Sequence, residues 1–327
     1  MNYLEENKNK CTDECDNDQE IKGSEIRVIR IDHDTGEVFN MPGYKGVPKG
    51  SLENAEKAKE FKARSAAQRS CAVECGRFIF AVMNKTGLFL EDLSPANATR
   101  LCMLSTYQDD NGLISSDIIG EDAPSKNDIA DILKIGKHLF YDFWNETYNK
   151  YIFSGDNNDY YIGNPVSNKT GKFTKREGVV YSKQRVLTFG SLRRGQFHKM
   201  NKIYKSQFRS LYERSEPVDH KKIGHIIHML PYLNQNWNAM CFNPGEEKVD
   251  DIVYMPQSDF CQISGTSTIH TSRLFSSLCD LTFEYSNKEE HFISTIQHGR
   301  DSIITVNKKI IYAGLLPMSI TMHDVYK

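Results

Sequence analysis

The stretch 125–144, SKNDIADILKIGKHLFYDFW, restricts the possible folds of this chain more than any other part of the sequence. Ser125 is a good helix N-cap, Asp128 lies where the helix dipole favours an anion, and apolar residues then recur at helical spacing. The pattern breaks at Ile135-Gly136 and resumes with more aromatic residues. We expect two short helices joined by a tight turn, which is either a helical hairpin in a core or a helix-turn-helix unit.

Composition excludes several classes of protein. The chain has 327 residues, of which 39% are hydrophobic, so it can form one large domain or two to three small ones. No apolar run reaches the roughly 18–20 residues of a membrane helix. The N-terminus is polar and acidic, unlike a signal peptide. The sequence therefore predicts a soluble protein of the cytoplasm, without membrane partners.

Charge is distributed unevenly along the chain. Residues 1–25 carry eight Asp and Glu against three Lys, which is typical of a disordered acidic tail. Residues 169–222 carry fifteen Lys and Arg against four Asp and Glu, a local net charge of +11, although the whole chain has a net charge of −2. The second region also predicts a long amphipathic helix, because apolar side chains recur there at steps of three and four: Met200, Ile203, Tyr204, Phe208, Leu211 and Tyr212.

Two parts of the chain share one order of predicted elements. In the first, a helix beginning at Ser94-Pro95 is followed by the helix pair of 125–144 and a hairpin over 150–164. In the second, a helix over 219–234 is followed by a helix pair within 255–283 and a hairpin over 289–307. Helix, helix, turn, helix, hairpin is the order of a winged helix. We therefore expect an internal structural repeat, although the two copies share little sequence identity.

Each expected copy divides into core positions and outward positions. The core positions are Ile129, Leu133, Ile135, Phe140 and Phe143 in the first copy and Phe260, Ile263, Ile269, Leu274, Leu278 and Leu281 in the second. The outward positions that can reach bases or phosphates are Lys137, His138, Tyr141 and Asn145 in the first copy and Thr268, His270, Thr271 and Arg273 in the second. Arg300 occupies the tip of the second hairpin, where an arginine can enter a minor groove. Candidate phosphate contacts in the basic segment are Arg193, Arg194, Lys199 and Lys202.

Motifs for catalysis and for metal binding are weak. The sequence lacks the G-x-x-x-x-G-K-[ST] phosphate loop, so it is not expected to be a P-loop ATPase. Two C-x3-C pairs, Cys11/Cys15 and Cys71/Cys75, have no closely spaced second half-site. His225 and His228 can share a helix face, but helical histidines with satisfied hydrogen bonds explain the spacing better than a metal site does. We therefore expect no enzymatic activity, no cofactor and no metal.

LSPANATRLCMLSTY, DIADILKIGKHLFYDFWNE and DFCQISG…SRLFSSLCDL together resemble winged-helix DNA-binding proteins of Gram-positive phages and plasmids, several of them replication-associated. The resemblance covers about residues 75–312. It implies sequence-specific binding to double-stranded DNA, with Lys137, His138 and Tyr141 at recognition-helix positions. Lys134, where many such units have glycine, and an acidic first hairpin depart from the family pattern.

The expected fold is mainly α with small β-hairpins, as tandem winged-helix units joined by a basic helical segment. The expected function is replication initiation through repeats at an origin. The alternatives are a transcriptional repressor of phage or plasmid genes that binds an operator, and a protein-interaction module acting on the host transcription or replication machinery. Homodimerisation stays open. The expected boundaries are 1–25 for the acidic tail, 26–92 for an N-terminal hairpin and helical segment, 93–168 and 219–314 for the winged helices, 169–218 for the basic linker and 315–327 for the C-terminal tail.

Overall fold

The computed structural model has two compact units, Met1–Ala63 and Arg64–Lys327. The first contains an antiparallel hairpin of β1 (Arg27–Ile31) and β2 (Val38–Lys45), which confirms the hairpin expected there. The predicted acidic tail lies outside the described residues. The structure describes residues 27–31, 38–45, 58–59, 74–83, 90, 92–108, 112–115, 124–155, 159–162, 164–167, 173–177, 186–188, 199–298, 301–312 and 314.

A four-stranded sheet lies in the second unit, in the order β14-β9-β3-β8. β3 pairs antiparallel with β9 along its whole length and parallel with β8, and β9 also pairs with β14. The sheet therefore joins strands that are far apart in the sequence. Their bounds are Phe78–Met83 for β3, Val186–Thr188 for β8, Lys199–Tyr204 for β9 and Ile311–Tyr312 for β14.

Three helices and two hairpins follow β3 along the chain. The first helix, the helix pair and the first hairpin were all expected from the sequence, and the structure confirms each of them. The elements are α1 (Pro95–Ser105), α2 (Lys126–Leu133), α3 (Lys137–Thr147), the hairpin of β4 (Ile152–Ser154) and β5 (Tyr160–Ile162), and that of β6 (Asn164–Ser167) and β7 (Phe173–Glu177).

Four helices and two hairpins make up the rest of the second unit. The helix pair and the last hairpin match the expected second copy, whereas the hairpin of β10 and β11 was not expected. The elements are α4 (Lys205–Arg214), α5 (Asp219–His228), α6 (Gln257–Ile263), α7 (Thr271–Cys279), β10 (Thr282–Tyr285), β11 (Lys288–His291), β12 (Ile293–His298) and β13 (Asp301–Val306). Short 3-10 helices cover Leu230–Tyr232, Val249–Asp251 and Thr268–His270.

The first helices of the two expected copies pack directly on each other. A Cβ on Gly224 of α5 would lie 1.7 Å from the carbonyl oxygen of Pro95, so only glycine allows α5 to approach the start of α1 this closely. Residues 97–105 of α1 are all buried, which is the environment of a central helix rather than of a helix with one covered face.

The expected fold class is therefore wrong. One hydrophobic core contains Leu101 and Phe143 from the first expected copy together with Ile226, Phe260 and Leu278 from the second. Two independent winged-helix units would each enclose a core of their own. Instead, α1 and α5 share one core, and the architecture is mixed, with seven helices and fourteen strands among the described residues.

The prediction of an amphipathic helix over Met200–Tyr212 is wrong for its first part and confirmed for its second. Its first part is the strand β9, and the helix α4 begins only at Lys205. Ile203 and Tyr204 are both fully buried, because Ile203 packs into the main core and Tyr204 packs with Cys75 and Tyr312 in a second cluster. Adjacent buried positions in a strand covered on both faces match a helical pattern, so periodicity could not separate the two structures.

Candidate nucleic-acid interface

Helix α2 begins and ends with well-defined caps. The Ser125 hydroxyl accepts a hydrogen bond from the Asp128 backbone N–H, and the Asp128 carboxylate accepts one from the Ser125 N–H. These hydrogen bonds hold the pKa of Asp128 below its usual value. At the other end, Lys134 has φ = 50° and ends the helix in the left-handed conformation that many such turns give to glycine.

Two side chains fix α2 and α3 to the rest of the unit. The Tyr212 hydroxyl of α4 donates a 2.7 Å hydrogen bond to the Leu133 carbonyl at the end of α2. Glu146 of α3 accepts hydrogen bonds from the Ser94 N–H, the Ser94 hydroxyl and the Asn97 amide at the start of α1. Because the N-terminal end of α1 carries a partial positive charge, this carboxylate acts as a cap supplied from another helix.

Aromatic residues bury the inner face of α3. Phe140, Phe143 and Trp144 are buried, as the sequence predicted for the two phenylalanines. Trp144 stacks on Tyr148 with ring centroids 5.0 Å apart and meets the edge of Tyr160, which belongs to the following hairpin. The hairpin and the helix are thus one packed body, and the opposite face of α3 is held towards solvent.

Four residues that the sequence predicts as DNA contacts lie on the exposed face of α3. Lys137, His138, Tyr141 and Asn145 are all exposed, and His138 pairs with Asp142 one turn later at 3.2 Å. That pairing places the acidic side chain against the imidazole of its own helix.

Two lysines flank the exposed ring of Tyr141. The Lys126 ammonium lies 5.5 Å from the centroid of this ring and 4.7 Å from that of Trp144, and the Lys137 ammonium lies 6.0 Å from the Tyr141 centroid. The Tyr141 side chain is 48% exposed. We call Lys126, Lys137 and Tyr141 the lysine–tyrosine cluster. Sequence reasoning missed Lys126, because its position on α2 gives no sign that it reaches across to α3.

The start of α3 is open next to this cluster. Gly136 is the N-cap and provides no side-chain hydrogen bond to the first-turn N–H groups. A Cβ at Gly136 would meet nothing within 4 Å. N–H groups at a helix start attract anions, so the local backbone adds to the positive charge of Lys137.

The α6–α7 region places its candidate residues differently. Thr268, His270 and Arg273 are exposed, whereas Thr271 is half-buried and its hydroxyl donates to the Thr268 carbonyl at 2.7 Å. Ile269, expected in the core, is 87% exposed, because it lies in the 3-10 turn that precedes α7 rather than within a helix. Arg300 lies outside the described residues.

The candidate phosphate contacts of the basic segment are not all surface residues. Lys199 lies on β9, and Lys202 on the same strand is buried, with its ammonium 5.0 Å from the Phe78 ring centroid. Arg193 and Arg194 lie outside the described residues. Lys202 therefore belongs to the interior and is not kept as a surface contact.

Further basic residues of this segment stabilise the end of α1. The Lys205 ammonium is buried and donates to the Gln108 carbonyl at 2.9 Å. The Arg209 guanidinium donates to the hydroxyl and the carbonyl of Thr106 and lies 3.7 Å from the Tyr107 ring centroid. Cations at a helix C-terminus interact favourably with its dipole. Part of the local positive charge therefore has a structural role.

Three buried histidines lie on α5. His220, His225 and His228 each have one ring nitrogen that is buried without a hydrogen-bond partner. Burial lowers the pKa of His220 and of His225 to about 4, and it also lowers the pKa of His228. The described residues contain no group of three or more His, Cys, Asp or Glu side chains that could hold a metal ion.

Among the described residues, no helix is both long and apolar enough to cross a membrane. Searches against family models, curated proteins and solved structures found no match to this chain.

Proposed function

We propose that the chain binds double-stranded DNA through the exposed face of α3. The lysine–tyrosine cluster carries this proposal, since two ammonium groups flank one exposed aromatic ring beside an uncapped helix start. Lysines and helix N-termini contact phosphates, and Tyr and Asn side chains reach sugars, phosphates or base edges.

The cluster and its neighbours on α3 supply two kinds of contact. Lys126 and Lys137 supply charge that neutralises phosphates without regard to sequence. His138 and Asn145 are exposed on the same helix and provide hydrogen-bonding groups for base edges, among which Asn recognises adenine in the major groove. Sequence-specific binding follows if α3 enters that groove. Binding to DNA in a bacterial host places the protein in the cytoplasm.

We propose the DNA-binding function that the resemblance implies. We do not propose the tandem winged-helix architecture, because residues of both expected copies share one core. Origin repeats and operator repeats are both double-stranded DNA, so binding through α3 does not favour one role over the other. Replication initiation and transcriptional repression are therefore both retained as the biological role, and binding to sites from either source supports the proposal.

The test is fluorescence anisotropy with the full chain and labelled duplex DNA of random sequence, at salt concentrations from 50 to 200 mM. We expect Lys126→Ala/Lys137→Ala to weaken binding about tenfold at low salt. The slope of log affinity against log salt should fall by about 2, because each phosphate contact contributes about 0.9. Tyr141→Ala should also weaken binding.

The matched control is Lys221→Ala/Lys288→Ala, which removes the same charge from exposed positions on α5 and β11. Circular dichroism checks that each variant is folded. Equal affinities and salt slopes in the two double variants would show that binding depends only on overall charge, and the assignment to α3 would be rejected.

A further inference from the structure

A second exposed surface is formed by residues that follow the 3-10 helix Leu230–Tyr232. The segments 240–242 and 253–255 run antiparallel, with the Phe242 N–H donating to the Val253 carbonyl at 2.9 Å. Cys241 on the first segment is buried, so the next residue, Phe242, is directed outward opposite Val253. Phe242 is 43% exposed and Val253 is 55% exposed.

The ring of Tyr232 packs against Phe242 of this outward pair. The Tyr232 ring meets the Phe242 ring edge-on, with centroids 6.4 Å apart. An exposed phenylalanine held in one orientation by a neighbouring ring loses little conformational entropy when a partner covers it. We call Phe242 and Val253 the apolar pair, against which Tyr232 packs.

The loop between the two segments is strongly acidic. Residues 243–252 contain Glu246, Glu247, Asp250 and Asp251 and one basic residue, Lys248, a net charge of −3. Glu247, Asp250 and Asp251 are exposed. The apolar pair is thus bordered by carboxylates on one side.

Hydrogen bonds hold this loop in one conformation. The Asn243 amide donates to the Asp251 carbonyl at 2.8 Å, and its oxygen accepts from the Val253 N–H at 2.8 Å. From the neighbouring turn, the Asn234 amide donates to the Glu246 carbonyl at 2.9 Å. The carboxylates and the apolar pair are therefore preorganised as one surface, which reduces the entropic cost of binding.

We propose that this surface binds a segment of a partner protein in which an apolar side chain is flanked by Lys or Arg. The apolar side chain covers Phe242 and Val253, and the basic residues face the carboxylates of the loop. Buried aromatic residues provide most of the affinity at such contacts, whereas bordering charges determine which partners bind and how fast they associate. Duplex DNA is disfavoured at this surface because the loop repels phosphates.

The test uses the full-length protein without DNA and three labelled synthetic peptides. The first alternates Leu and Phe with Lys and Arg, the second replaces its apolar residues by Ser, and the third replaces its basic residues by Glu. We expect the first to bind most tightly and the third not to bind. Phe242→Ser should weaken binding of the first peptide at least tenfold, and Asp250→Asn/Asp251→Asn should weaken it and flatten its salt dependence.

Matched variants distinguish this surface from α3. Lys126→Ala/Lys137→Ala should bind the first peptide as the wild type does, so the two proposals succeed or fail separately. Because Phe242 and Val253 are exposed, Val253→Ser tests the pair a second time without disturbing the core. Equal binding of the first two peptides, or equal binding by the wild type and Phe242→Ser, would refute the proposal. Sedimentation velocity tests whether a second copy of the chain occupies this surface instead. Self-association that Phe242→Ser abolishes would assign the surface to that second copy.

Discussion

Gly224 determines how closely the two central helices pack. Any larger residue there places a Cβ against the backbone of Pro95, and backbone atoms cannot move aside as a flexible side chain can. This constraint could not be predicted from the sequence, because a single glycine within a predicted helix is also compatible with an exposed position.

We expect Gly224→Ala to lower the free energy of unfolding by about 3 kcal/mol or more, the upper end of the range for overpacking. Gly245→Ala is the control, because a Cβ at Gly245 would meet nothing within 4 Å. Urea denaturation measures both variants. If Gly224→Ala is as stable as the control, α1 and α5 do not cross at this residue.

Arg209 is a basic residue whose side chain stabilises the fold. Arg209→Ala removes two hydrogen bonds to Thr106 and the contact with the Tyr107 ring, and we expect it to cost about 1.5–3 kcal/mol of unfolding free energy. Arg209→Lys should lie between, because lysine keeps the charge but cannot make the same paired contacts.

Arg214→Ala is the control on the same helix. Arg214 is exposed and pairs with Glu289, and such surface pairs contribute at most about 1 kcal/mol. Chemical denaturation of the three variants decides between the two roles of the basic segment. Wild-type stability of Arg209→Ala, combined with weaker DNA binding, would instead place Arg209 on the nucleic-acid surface.

At the scale of elements, the sequence predicted helices and hairpins well where local signals were strong. The cap formed by Ser125 and Asp128, the break at Gly136 and the burial of Phe140 and Phe143 are all present in α2 and α3. These features depend on interactions within a few residues along the chain, so periodicity and capping rules could find them.

The errors occur where long-range contacts decide the structure. β9 became a strand because β3 and β14, more than 100 residues away on either side, pair with it. The hairpin of β10 and β11 was missed although Ser286 and Asn287, both with positive φ, form its turn; Asn is a common turn residue, but Ser is a weaker signal. Lys126 joined the candidate interface only through packing of α2 against α3.

At the scale of the whole molecule, the expected repeat describes the order of elements but not the architecture. A winged helix leaves its first helix against its own core, whereas here α1 is buried on all sides and contacts α5. The polar residues Asn97, Thr99 and Arg100 are buried in α1. The Asn97 amide donates to Glu146 of α3, and the Thr99 hydroxyl donates to the His220 carbonyl of α5. The Arg100 guanidinium donates to the Asn97 side-chain oxygen within α1. Buried polar residues in a helix indicate partners on several sides, and the spacing of apolar residues alone does not show which polar side chains are buried.

The histidines of α5 make the stability of this shared core depend on pH. His220 stacks on Tyr212 at 4.1 Å between ring centroids, and burial together with the charge of Arg100 lowers its pKa to about 4, although Asp219 opposes the shift. Burial, Lys221 and His228 act in the same direction on His225. Both imidazoles are therefore neutral in the folded chain at neutral pH.

The direction of the effect follows from proton binding. In the unfolded chain these histidines titrate near pH 6.5, so between about pH 6.5 and pH 4 the unfolded state binds more protons than the folded state. Stability is fully present above pH 6.5 and decreases as the pH falls towards 4. His220 and His225 should each account for a loss on the order of 2 kcal/mol between pH 7 and pH 5.

Urea denaturation at pH 7, 6 and 5 measures this loss, and His220→Phe isolates one group. Phenylalanine keeps the stacking on Tyr212 but cannot bind a proton, so the variant should lose less stability than the wild type as the pH falls. His270→Gln is the control, because His270 is exposed on the turn before α7. A pH dependence that is the same in His220→Phe and in the wild type would mean that His220 is protonated to the same extent in both states, and that the contact between α1 and α5 does not exclude water from its ring.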